Sequence, residues 1–79
     1  MYRLRPCLTA LRVLAISANP NRYLLVERHI DEYLRTHHSL THALEALRRA
    51  IHHEEVQGHA EYWSIVQEYV RSLLRRMNG

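Results

Sequence analysis

Lysine and phenylalanine do not occur in this 79-residue chain, and cysteine, tryptophan, glycine and proline are scarce. A single cysteine, Cys7, cannot close an internal disulfide, and alone it offers neither a cysteine-rich zinc site nor a paired redox centre, so it is expected as a small buried hydrophobe. Two Gly and two Pro beside 47% hydrophobic and 24% charged residues exclude disordered, collagen-like and disulfide-dense chains. No apolar run approaches the roughly 18 residues needed to cross a bilayer, so no membrane partner is expected. Without lysine, all 11 basic residues are arginine. Arginine suits phosphate and carboxylate recognition, but a GC-rich genome, bacterial or phage, produces the same bias.

What is present reads as one small domain covering residues 1–79. A core of that size contributes only a few kcal/mol, so association with a second copy or a partner is expected. The net charge of +3 is unevenly spread. Up to Val26 there are Arg3, Arg5, Arg12 and Arg22 with no acid, whereas from Glu27 onward carboxylates slightly outnumber arginines. An acid-free, amphipathic start can be a transit peptide, a membrane-surface helix, a nucleic-acid arm or an ordinary first helix. Arg3 and Arg5 ahead of the apolar stretch ending at Ala18 resemble a secretory signal, but Arg12 lies in the middle of that stretch, and a cytoplasmic protein is expected.

Apolar residues recur at spacings of three and four throughout, which gives an all-α fold: a three- or four-helix antiparallel bundle, homodimeric, with helices at about 6–17, 20–36, 40–57 and 59–77. Pro6 fits a first helical turn, Asn19 and Pro20 a cap and first position, and Ser39 a third cap. Gly58 marks either a stop or a kink. In the last helix Trp63, Val66, Val70, Leu73 and Met77 form one line, widened by Tyr62, Ile65, Tyr69 and Leu74 to about half the circumference, more than a surface helix needs. A second copy or a partner protein is expected to cover the excess, with Tyr62, Trp63 and Tyr69 as contact residues, because tyrosine and tryptophan are enriched at interfaces.

Three other constellations compete. His52, Glu55 and His59 share one helical arc if the helix runs through Gly58, and imidazole with carboxylate suits zinc or iron; His38 and His42 are a weaker pair. All seven histidines lie between His29 and His59, so mild acidification would add positive charge and alter association. The stretch Tyr33 to Leu44 resembles the helix-turn-helix of DNA readers, with Arg48 and Arg49 on a groove-facing helix and Arg3, Arg5 and Arg12 as phosphate-binding arms; Glu45 on that face opposes it. Arg48 and His53, four residues between them, are similar in spacing to a motif of a family of small helical ribonucleases. On one regular helix, however, residues five apart diverge by about 140°. No nucleophile and base pair stands out, so no catalytic residue and no cofactor is assigned. The expectation is a non-enzymatic regulatory, adaptor or inhibitor protein acting by protein–protein interaction, with nucleic-acid binding as the alternative.

Overall fold

The computed structural model describes residues 3–78. They form four helices, α1 (Leu4–Ala15), α2 (Arg22–Arg35), α3 (Leu40–Gln57) and α4 (Ala60–Asn78), and no strand among the described residues. The chain is an all-α bundle, as its periodicity requires.

Helix α1 begins and ends two residues earlier than expected, at Leu4 and Ala15. Pro6 is thus its third residue rather than its first, still within the turn whose N–H groups have no intrahelical acceptor. Asn19 does not cap α2 directly. Its Oδ1 accepts from the Asn21 amide at 2.9 Å while its carbonyl accepts from Arg22 N at 3.1 Å, so Asn19, Pro20 and Asn21 form a tight turn ahead of the helix. Ser39 caps α3 as expected, its Oγ accepting from His42 N at 3.3 Å. Gly58 stops α3 outright: its φ of +141° lies where only glycine is comfortable. A Cβ there would meet nothing within 4 Å, so backbone conformation alone demands the residue. His59 follows at φ +53°, after which α4 begins.

The core is continuous across all four helices, with Leu11, Ile30, Tyr33, Leu44, Leu47, Ile51, Val66 and Val70 completely enclosed. Each aliphatic side chain buried in this way contributes about 1.5–3 kcal/mol before the entropy of ordering is charged against it. The wide apolar arc of α4 finds its neighbours inside the chain. Tyr62, Trp63, Val66, Val70 and Leu74 are all buried there, α3 being the principal contact and α2 a further one. Much of the width that suggested a second copy is filled by the protein's own helices, while Ile65 and Met77 on the same arc stay 44% and 40% exposed.

Long-range bonds fix the relative directions of the helices. Tyr62 Oη donates to Leu11 O at 2.7 Å, the Arg12 guanidinium meets Glu54, and Arg22 donates to Ala15 O and Ser17 O, both at 3.3 Å. These bring together the end of α1, the start of α2, the end of α3 and the start of α4. Farther along, Cys7 Sγ donates to His29 O at 3.7 Å, Tyr33 Oη donates to Ala43 O at 3.0 Å, and Tyr69 Oη reaches Asp31 Oδ1 at 3.3 Å. One end of the bundle, here termed the two-turn end, thus holds the α1–α2 and α3–α4 connections. The opposite, basic end holds the start of α1, the α2–α3 connection and the end of α4.

Candidate functional site

The aromatic group expected to face a partner divides in two. Tyr62 and Trp63 are each 2% exposed and belong to the core, so their assignment as contact residues is corrected. Both lie on the part of the wide α4 arc that the structure turns inward, whereas Ile65 and Met77 of the same arc stay exposed. Tyr62 stacks on Tyr23 at 5.8 Å between centroids and meets Trp63 edge-on at 4.9 Å. The Arg22 guanidinium lies 5.1 Å from the ring centres of both Tyr23 and Tyr62, a cation–π arrangement that also closes the α1–α2 turn through its bonds to Ala15 O and Ser17 O. Burial drives the Tyr62 phenol well above its ordinary range, and nearby Arg22 opposes the shift only in part. Tyr69 alone stays half-exposed. Its phenol is pushed up to about 12, first by burial and then by the Asp31 carboxylate that accepts its proton.

The competing metal arrangement does not form. His52 and Glu55 lie on α3, but the helix ends at Gln57 and the Gly58 break places His59 off their arc. No group of three or more His, Cys, Asp or Glu able to hold an ion occurs among the described residues. His38 precedes the Ser39 cap, outside the helix that carries His42. Arg48 and His53 both lie within uninterrupted α3, where they diverge as the helical repeat requires, and Arg48 is engaged elsewhere.

The proposed groove-reading face of α3 is partly neutralised. Arg48 donates through Nε at 3.2 Å and Nη2 at 3.0 Å to Glu45 Oε2, while Gln67 from α4 donates to the Arg48 carbonyl at 3.2 Å. Arg49 remains exposed. Arg3 and Arg5 stand exposed at the start of α1, at the basic end, and Arg12 is held in a two-bond ion pair with Glu54 at 2.9 and 3.0 Å. The expected set of phosphate-binding arms therefore does not act as one: Arg12 is committed to the fold.

Two features escaped sequence reading. Gln67 is 3% exposed, the only buried polar residue among those described, and nothing in the helical period distinguishes it from a core hydrophobe. The second is where the exposed apolar side chains gather. Val13 (59%), Ile16 (74%), Leu24 (59%) and Val56 (79%) all belong to the two-turn end, where Ile16 also borders a shallow cavity of about 220 Å³ lined by Gly58, His59 and Trp63. Periodicity alone could have flagged Val13 and Ile16, which fall off the buried line of α1.

Comparison with protein-family models, with curated proteins and with solved structures finds no match.

Proposed function

We propose that this chain is a small non-enzymatic regulatory, adaptor or inhibitor protein that acts by binding another protein, and that the two-turn end is its contact surface. The observation that carries the reading is the set Val13, Ile16, Leu24 and Val56, large apolar side chains left exposed on the helix ends that meet there, with Ile16 bordering a shallow cavity that Arg12, Glu54 and Trp63 also line. A protein interface places such residues at its centre and charge at its rim, and the paired Arg12 and Glu54 supply a rim of this kind. Self-association through the same end would satisfy the same surface, and a cytoplasmic setting in a GC-rich bacterium or phage fits the composition.

The test is capture from nuclease-treated host extract with tagged protein, run beside an Ile16→Asp, Val56→Asp variant and beside sedimentation of the pure chain. The expected result is one stoichiometric protein, or a dimer, that the double variant loses while its circular dichroism stays helical. A monomer that captures nothing, or a partner retained by the variant, removes the reading.

A further inference from the structure

The net charge of this protein is concentrated by topology rather than by sequence. Chain order puts Arg3 and Arg5 at one terminus and Arg71, Arg75 and Arg76 at the other, yet the bonds that pair Cys7 with His29, Tyr33 with Ala43 and Tyr69 with Asp31 fold both termini to the same end of the bundle. With Arg35 from the close of α2, six arginines collect there against three carboxylates, Asp31, Glu32 and Glu68. Glu45, five residues from the start of α3, lies nearer this end than Glu68 does; with it counted, six arginines face four carboxylates and the end is still net basic.

The local pairing sharpens the excess. Glu68 holds Arg75 at 2.8 Å, and its carboxyl is drawn below the usual range first by that bond; Glu32 approaches Arg35 at 3.8 Å; Asp31 accepts from Tyr69. Arg3, Arg5, Arg71 and Arg76 are exposed and make no ion pair among the described residues. Among the described residues the exposed large hydrophobics around them are Leu40 and Met77, at 41% and 40%. Insertion into a membrane surface would call for a broad apolar face beside the arginines. A protein interface would require an uncharged centre. Dense, fixed negative charge read without insertion is the chemistry of a phosphate backbone, which guanidinium forks match bidentately.

We infer that the basic end is a nucleic-acid backbone-binding surface formed by Arg3, Arg5, Arg71 and Arg76, independent of the apolar two-turn end. It differs from a helix-turn-helix reading head in placing no helix in a groove. Contacts limited to phosphate carry no sequence information, so binding is sequence-tolerant. A chain with a protein-binding end and a phosphate-binding end is a bridge between the two.

The test is fluorescence anisotropy with two labelled duplex oligonucleotides of unrelated sequence, titrated at several salt concentrations. Four phosphate contacts give a log–log salt slope of about −3.6, at 0.9 per contact. The Arg71→Gln, Arg76→Gln double variant reduces the magnitude of that slope by about two and weakens binding at low salt by tenfold or more. Arg49→Gln, on the face that a helix-turn-helix would use, leaves both unchanged. If the α4 variant loses helical circular dichroism, Arg3→Gln, Arg5→Gln at the other terminus gives the same reading. No binding at low salt, a flat salt response, sensitivity to Arg49→Gln alone, strong preference for one sequence, or binding to phosphatidylserine vesicles in place of the oligonucleotides each overturns the inference.

Discussion

At the two-turn end the arginines are engaged within the protein: Arg12 grips Glu54 with two bonds, and Arg22 spans two carbonyls and two tyrosine rings. At the basic end Arg3, Arg5, Arg71 and Arg76 face solvent and make no ion pair among the described residues, although the charge of Arg71 also helps hold the Glu68 carboxyl below its usual range. Apolar exposure runs the other way, with Val13, Ile16, Leu24 and Val56 at the two-turn end. The same residue type therefore does different work according to what the fold brings within reach. An arginine beside open carbonyls, aromatic faces or a carboxylate becomes a tether, as Arg75 does with Glu68 even in the last turn of α4, whereas one that reaches no such group remains available. The contrast implies that the two-turn end determines how stable the fold is, while substitutions at the basic end alter binding with little effect on folding.

The most severe test of that contrast is Trp63→Ala. Trp63 is enclosed between α4 and the helices beneath it, so truncation is expected to cost about 3–5 kcal/mol in urea unfolding. In a domain this small such a loss leaves little folded protein. A loss below 1 kcal/mol would return Trp63 to the surface and restore it as a contact residue. Gly58→Ala comes next. At φ +141° the added Cβ meets no neighbour but forces a conformation that alanine avoids, with an expected loss of about 1–3 kcal/mol in the same measurement. An unchanged midpoint would mean that the α3–α4 turn relaxes freely and does not anchor this end.

Much of this fold was legible in the sequence because its helices are strongly patterned and their stops are chemically explicit. Ser39 caps where a serine should, and of the line Leu40, Leu44, Leu47 and Ile51 the last three enter the core while Leu40, in the first turn, stays exposed. The site was less legible because a helical wheel gives the width of an apolar arc without saying which neighbour covers it. Tyr62 and Trp63 fall on that arc whether α3 or another molecule lies above them, and only tertiary structure decides. The His52, Glu55 and His59 set failed for a related reason: its geometry depended on one backbone angle at Gly58, and sequence left stop and kink equally open. The charge polarity was invisible for the opposite reason. Read along the chain, the basic excess belongs to the N-terminal third; the fold adds the distant Arg71 and Arg76 to it.

A double-mutant cycle on Arg12 and Glu54 measures how much the two-turn end gains from its engaged arginines. The Glu54 side chain is 14% exposed and that of Arg12 53%, so the pair lies between a surface bridge and a buried one. A coupling of about 0.5–1 kcal/mol at low salt, smaller at high salt, is expected. Zero coupling would reduce the pair to an ornament of the surface, and the two ends would then differ only in apolar exposure.

The smallest effect belongs to Tyr69→Phe near the basic end, where the hydroxyl reaches Asp31 at 3.3 Å. Removing one partly exposed hydrogen bond costs less than about 1 kcal/mol at neutral pH. The pH dependence is more informative than the size. Burial, reinforced by Asp31, raises this phenol from its ordinary 10.0 to about 12. The folded chain thus retains a proton that the unfolded chain releases above pH 10, and stability falls as the pH climbs from 10 to about 12. The Tyr69→Phe variant lacks that contribution, so its stability should decline less steeply across the window, although Tyr33, Tyr62 and Cys7, also raised by burial, still titrate with unfolding. Parallel alkaline denaturation curves for the two proteins would show that Tyr69 ionises as freely in the fold as out of it, and that its bond to Asp31 does not tie α4 to α2 at this end.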